Sequence, residues 1–323
     1  MRRYWRWQRH APQAVATLTA TEEASDSLAH FAAYLVEERY AGGTVAAYVQ
    51  SVITYTAVFD NVEVPRCRLL RMALVAAKRV TPAPQAKHPI SGEQLQWVLQ
   101  PLDVTVSDEL CLRAALCFAF CTGSRVSNYA ACGEGKDHPL RWRDVSFDTE
   151  STPPAVRVLR RSSKTKQGTS HKPQPLWMGA APRTPTLCPV TLLRAWHAHR
   201  RDRRRTRPHD RVFVRDDGSR LRNTDVNDFL ASRAGAAGVP ALTSHCFRVS
   251  FMTTGSLVGA SRRLLYRQAD FADPTSNAVA SEAYVQDFRH RMVQVTQRQL
   301  LTTASQLSEG QPAAQHRRHR RRR

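Results

Sequence analysis

The sequence predicts a mainly α-helical protein with a small β-sheet, in a helical N-terminal domain followed by a larger α+β domain. Three observations predict it. Apolar residues recur at helical spacing across residues 25–80. The stretch Thr81-Pro82-Ala83-Pro84-Gln85-Ala86-Lys87-His88 then has the composition of an interdomain linker. Beyond it the helical pattern resumes, broken at 155–178 by two strand-like segments around a basic turn.

Residues 1–24 are basic, then Ala/Thr-rich, and read as a flexible arm. Leu28, Phe31, Ala32, Leu35 and Val36 follow the i, i+3, i+4, i+7, i+8 pattern of one helix face. Gly42-Gly43 is expected to break this helix, with Thr44 as N-cap of the next. Val45, Tyr48, Val49 and Val52 line that second helix. A third is expected over Pro65–Arg79, burying Leu69, Leu70, Met72 and Val75. These helices form the domain of residues 25–80, and 81–88 is the linker.

The second domain, 89–306, opens with Ser91 as a cap before Glu93–Leu99. A long apolar helix is expected from about Asp108 to Cys121, stopping at Gly123. Val156, Val158 and Leu159 mark one strand, and Pro175, Leu176 and Trp177 the next. Further helices are expected at 187–200, 224–237, 246–258 and 277–305. Residues 307–323 are expected to be disordered.

The chain has 323 residues and a formal charge of +21. Six of those charges belong to the run Arg317–Arg323, so most of the excess lies in the remainder of the chain. Residues 151–201 hold ten Lys or Arg and no Asp or Glu. A polyanion is the expected partner, nucleic acid before an anionic membrane surface. No apolar run approaches the ~18 residues of a membrane span. Hydrophobic residues make up 42%, which excludes a wholly disordered chain. The seven cysteines are odd in number and include no CxxC pair. That argues against a disulfide framework or a zinc site and for a reduced, intracellular protein.

Four segments carry candidate chemistry. Thr122-Gly123-Ser124-Arg125-Val126-Ser127-Asn128 follows the end of the long helix. Ser162-Ser163-Lys164-Thr165-Lys166-Gln167-Gly168 is the turn between the two strands. Thr243-Ser244-His245-Cys246-Phe247-Arg248 opens a helix and puts His245 and Arg248 on one face. Ser281-Glu282-Ala283-Tyr284-Val285 supplies a phenol.

On these motifs the chain resembles the tyrosine recombinase (phage integrase) family. The Thr-Gly-x-Arg-x-Ser element, the Leu140-Arg141-Trp142-Arg143-Asp144-Val145 segment and the His-x-x-Arg element occur in that family's order. The resemblance covers residues 25 to 305. It implies a SAM-like core-binding domain followed by an α+β catalytic domain. It also implies site-specific recombination through a 3′-phosphotyrosyl intermediate, in a protein encoded by a mobile element. Arg125 and Arg248 would hold the two non-bridging phosphate oxygens with paired, permanently charged donors. His245 would add a donor or assist proton transfer. Lys164 would protonate the leaving 5′ oxygen, and Tyr284 would attack phosphorus. The resemblance implies no cofactor and no metal, cationic side chains taking that role. The expected partner is double-stranded DNA, clamped between the two domains and held by a homotetramer. The helix at 286–305 would dock on a neighbour through Phe288, Met292 and Val295, residues that could equally pack at home. The expected location is the nucleus in a eukaryotic host, otherwise the nucleoid.

Three departures accompany the resemblance. Phe271, 23 residues after Arg248, stands where the family carries a His or Trp. It can imitate the packing of Trp but donates no hydrogen bond. Asn128 replaces an acidic brace for Arg125, and residues 129–139 read as a loop insertion. The interval from Phe271 to Tyr284 exceeds the family's usual one, with 273–277 as the longer loop.

Taken singly, each residue has a plainer reading. Arg125 would complete a helix dipole. Lys164 would be a solvated turn lysine, with Lys166 its rival. Tyr284 would be half-buried core, with Tyr266 its rival. Arg200–Arg207, six Arg in eight positions, reads as a solvated or phosphate-facing helix end. The alternatives to a recombinase are a type IB topoisomerase, which resembles the family in its residue set, and a degenerate DNA-binding protein of the same fold.

Overall fold

The computed structural model describes residues 2–11, 18–81, 88–132, 140–150, 152–161, 173–239, 241–269 and 282–309, with the side chains of 282–290, 308 and 309 outside the description. The chain divides into two compact units, residues 1–86 and 87–323.

The first unit holds α1 (Arg2–Gln8), α2 (Glu22–Glu37), α3 (Gly42–Phe59) and α4 (Arg68–Val80). Within the stretch expected to be a flexible arm, α1 is a folded helix. Its Tyr4 and Trp7 are buried, and the Tyr4 ring meets Phe31 edge-on at 5.1 Å. Aromatic burial of this size outweighs the basic character of the segment. Leu28, Phe31, Ala32 and Leu35 of α2 pack against Val45, Val49 and Val52 of α3, as their spacing predicts.

Two local expectations fail here. The glycine pair does not break a helix: α3 begins at Gly42, with Ala41 as its N-cap. A Cβ on Gly42 would lie 2.6 Å from the Ala77 carbonyl oxygen, so this residue lets α3 start hard against α4. The buried face of α4 is also in a different phase. Leu70 and Ala77 are buried and Ala73 and Leu74 pack beside them, a true i, i+3, i+4, i+7 seam. Leu69, Met72 and Val75 are exposed. Both faces of α4 carry apolar residues, so periodicity alone does not choose between them.

The second unit begins with α5 (Gly92–Leu99), whose N-cap Ser91 forms a reciprocal capping box with Gln94. Next comes α6 (Ser107–Thr122), with Cys111, Cys117 and Cys121 buried along it. Burial raises the Cys111 and Cys117 thiols to about 12, as suits small core residues. Three strands follow: β1 (Val145–Asp148), β2 (Ala155–Arg160) and β3 (Gln174–Gly179). They form an antiparallel sheet in the order β1-β2-β3, with Val145 opposite Val158 and Arg160 opposite Gln174. The remaining helices are α7 (Pro189–Asp202), α8 (Asn223–Arg233), α9 (Ser244–Leu257), α10 (Arg262–Ala269), α11 (Glu282–Leu300) and α12 (Ala304–Glu309).

One core cluster surrounds α6 and includes Phe118, Phe120, Trp196 and Phe247. A smaller one joins Ala155 and Trp177 of the sheet to Phe251, Leu264, Leu265 and Met292. Met292 and Val295 are therefore interior residues of this chain's own unit rather than a docking surface for a neighbour. Gln297 Nε2 donates to the Ala180 carbonyl (2.6 Å) and Gln299 Nε2 to the Phe251 carbonyl (3.0 Å), which fixes the C-terminal half of α11. Within 307–323, expected to be disordered, α12 reaches Glu309 and Leu307 is buried. Among the described residues no helix is long and apolar enough to cross a membrane.

Candidate active site

The turn carrying Arg125 is built by the end of α6. Gly123 caps that helix in the left-handed conformation (φ +60°), and its N–H donates to the Ala119 carbonyl at 2.9 Å. A Cβ there would lie 2.8 Å from Phe251 Cδ1, so the position takes glycine for space as well as for conformation. The Thr122 hydroxyl donates to the Phe118 carbonyl (2.7 Å), and its Oγ1 lies 2.7 Å from Ser124 Oγ. Ser124 is buried. Arg125 follows as the half-buried N-cap of a short 3-10 turn, Val126–Asn128. Asn128, where an acidic brace was expected, lies in that turn and its N–H returns to the Arg125 carbonyl at 2.9 Å.

The first turn of α9 carries the other pair. His245 is exposed, while Arg248, one turn on, is 4% exposed. Arg248 Nη1 donates to the Gly123 carbonyl at 2.9 Å and also to the Ala269 carbonyl. One guanidinium thus ties the Arg125 turn, α9 and the end of α10 together across more than a hundred residues of sequence.

Two further residues complete this network, and the sequence reading did not single them out. Arg160 is 4% exposed; Nη1 donates to the Gln268 carbonyl (3.0 Å) and Nη2 to Gln174 Oε1 (2.7 Å). The fully buried Gln268 accepts from Trp177 N–H (3.3 Å) and donates to the Trp177 carbonyl (2.9 Å), covering the open edge of β3. The last carbonyls of α10 therefore end on two buried guanidinium groups, which suits their orphaned acceptors and the negative end of the helix dipole. A signal for both existed. Strand alternation puts Arg160 on the face of Val156 and Val158, and helical spacing puts Gln268 on that of Leu264 and Leu265. Arg160 and Arg161, two of the ten basic residues of the acid-free stretch 151–201, are engaged within the chain, the latter with the Asp144 carboxylate.

Lys164 and Phe271 lie outside the described residues. Tyr284 stands in the first turn of α11, and its side chain lies outside the description. The rival Tyr266 is half-buried, with the Arg262 guanidinium 4.8 Å over its ring. Among the described residues no three His, Cys, Asp or Glu side chains group as a metal site.

No protein-family model and no curated protein sequence matches the chain. Solved structures do. A XerH site-specific recombinase bound to palindromic difH substrate, in a post-cleavage complex, superposes with a TM-score of 0.57 at 13% identity, covering 84% of this chain and 70% of that one. The Tn1549 transposon integrase (aa 82-397) in complex with circular intermediate DNA gives 0.55 at 14% identity, covering 88% and 90%. With its helical first unit, its α6–turn–sheet order and its small antiparallel sheet, the chain has the fold of the tyrosine recombinases.

Proposed function

We propose that this protein is a site-specific DNA recombinase that cuts and rejoins duplex DNA through a 3′-phosphotyrosyl intermediate, and that a mobile element encodes it. The observation that carries the reading is the bond from Arg248 to the Gly123 carbonyl. It brings the Thr-Gly-x-Arg turn to the His-x-x-Arg helix within one buried network. The XerH recombinase and Tn1549 integrase structures of this fold are DNA complexes. A charge of +21 suits such a partner.

In this reading Arg125 and Arg248 bind the two non-bridging oxygens of the scissile phosphate and stabilise the charge that grows on them. The exposed His245, on the same helix face as Arg248, donates a further hydrogen bond or moves the phenol proton. Tyr284 Oη attacks phosphorus; the P–O5′ bond breaks and Lys164 gives its proton to the departing 5′ oxygen. Attack of a 5′ hydroxyl on the phosphotyrosine reverses these events on the exchanged strand. Phe271 takes the place of the family's His or Trp without donating a hydrogen bond. The domains of residues 25–80 and 89–306 clamp the duplex, and four protomers assemble on two duplexes.

The test is a nicked suicide substrate, from which the cut fragment diffuses away. The wild-type chain should trap a covalent protein–DNA adduct, and Tyr284→Phe should trap none. An adduct with Tyr284→Phe would remove Tyr284 as nucleophile. Absence of any adduct, with DNA binding intact and steeply weakened by salt, would leave a DNA-binding protein without catalysis.

A further inference from the structure

The Arg200–Arg207 cluster closes the C-terminus of α7. Arg204 N donates to the Arg201 carbonyl (2.8 Å) and Arg205 N to the Arg200 carbonyl (2.9 Å). Arg204 itself is in the left-handed region at φ +55°, where such helix ends normally use glycine. The turn gathers Arg200, Arg204 and Arg205 around a concavity of about 390 Å³, with Arg207 and Arg211 on the returning chain. Asp210 is the one carboxylate lining it, and its Oδ2 already accepts from the Arg207 N–H at 2.8 Å.

Arg200 is the informative member. It is 3% exposed and stacks its guanidinium 5.4 Å from the Trp196 ring centroid. Its Nη1 makes one long contact with the Arg215 carbonyl (3.5 Å), and its buried Nε has no hydrogen-bond partner among the described residues. A buried charged donor left unmatched is costly and calls for an acceptor. Burial, and then the charge of Arg205, hold this guanidinium below its usual range. An anion in the concavity offsets both by pairing with the charge.

The lining of this concavity shares no residue with the Arg125 turn. Asp216, on the same returning chain, bonds the N-terminal end of α6: its N–H donates to Asp108 Oδ1 (2.7 Å) and its Oδ1 accepts from Ser107 Oγ (3.0 Å). Arg125 lies past the other end of that 16-residue helix, about 24 Å long at 1.5 Å per residue, while the Arg211 side of the lining runs toward the Arg125 turn, Val212 N–H donating to the Leu140 carbonyl (3.0 Å) and Leu140 N–H to the Asn128 carbonyl (3.3 Å).

We propose that the Arg200–Arg211 concavity is a second anion site, built for closely spaced phosphate groups and separate from the scissile phosphodiester. Five guanidinium groups around one engaged carboxylate match an anion of several charges better than a single carboxylate ligand. Fork-shaped donors favour phosphate oxygens. The proposal does not depend on catalysis, so its test reads binding and stability.

The full-length chain is titrated calorimetrically with tripolyphosphate, and four forms are compared: wild type, Arg204→Gly, Arg39→Gly and Arg125→Ala. Arg39 has the same left-handed helix closure (φ +61°) in the first unit, outside this concavity. Glycine relieves the backbone at both positions, so each glycine variant should melt about 2 °C higher or more. Only Arg204→Gly should also weaken tripolyphosphate binding, by roughly 10-fold for one lost charge-assisted contact. A fold that gains stability while losing the ligand cannot be explained by damage. No saturable binding by the wild type, an equal loss in Arg39→Gly, or a loss in Arg125→Ala but not in Arg204→Gly would each overturn the site. Competition identifies the source of the phosphate. Displacement of tripolyphosphate by a short duplex, from the Arg125→Ala chain, supports the site with a DNA backbone as its occupant. Retention supports it with a free polyphosphate.

Discussion

The guanidinium of Arg248 donates to the main-chain carbonyl of Gly123 at 2.9 Å, two residues before Arg125. The same Nη1 serves the Ala269 carbonyl, so this side chain is structural as well as a candidate phosphate ligand. Arg125 is half-buried, whereas Arg248 is 4% exposed. The two arginines should therefore separate on mutation. Arg125→Ala should lower adduct formation by roughly 10²–10³, with a smaller loss of stability than at the more deeply buried Arg248. Arg248→Ala should lose both, because each carbonyl left without its donor costs about 1–3 kcal/mol. Urea unfolding alongside suicide-substrate kinetics decides it; an Arg248→Ala chain as stable as wild type would contradict the network.

Gly123→Ala probes the same relationship from the other side. Alanine resists φ +60°, and its Cβ would press on Phe251 Cδ1 at 2.8 Å. The loss of stability should exceed about 1 kcal/mol. The carbonyl that Arg248 holds would move with the turn, so adduct formation should fall although no charged group is changed. A variant with wild-type midpoint and rate would show that the turn tolerates a side chain.

Much of this arrangement is legible in the residues, and the rest has physical reasons for being hidden. The stop of α6 at Gly123 is written in a long apolar run ended by glycine, and Ser91 with Gln94 spells its capping box three residues apart. Residue types at Arg125, His245 and Arg248 mark the candidate site. By contrast α10 spans only eight residues, so the common face of Leu264, Leu265 and Gln268 shows only once a helix is assumed, and β1 is a four-residue edge strand too short to show its alternation. The sequence also cannot say that Arg160 and Arg248 bond helix carbonyls, since a buried arginine and a phosphate-facing one look alike until the partner is known.

Gln268 should behave as a structural clamp. Its amide meets both the N–H and the carbonyl of Trp177, a match that needs one acceptor and one donor in a single side chain. Gln268→Leu keeps the volume and removes both bonds. The expected loss is roughly 2–4 kcal/mol, two buried hydrogen bonds broken on one side only. Hydrogen exchange should rise first at β3 and α10. A change within about 0.5 kcal/mol, the range of ordinary surface substitutions, would show that the clamp is idle.

Stability should fall on mild acidification, and His197 supplies part of the reason. Its ring meets Trp142 edge-on at 4.7 Å and lies 5.5 Å from Phe147. Burial, and then the nearby Arg201 charge, hold its pKa below the ordinary value. The unfolded chain therefore takes up this proton more readily than the folded one. Above the ordinary histidine range near ~6.5 both states are neutral here and the residue contributes nothing. As pH drops below it, the unfolded state binds the proton first and gains free energy, until the folded histidine also titrates. His199, lowered by burial and by Arg203 and Arg200, adds in the same direction. His197→Phe keeps the aromatic contacts and deletes the titration, so unfolding free energies measured at about pH 7 and pH 5 should differ less than in wild type. An equal or steeper fall in the variant would place the acid sensitivity elsewhere.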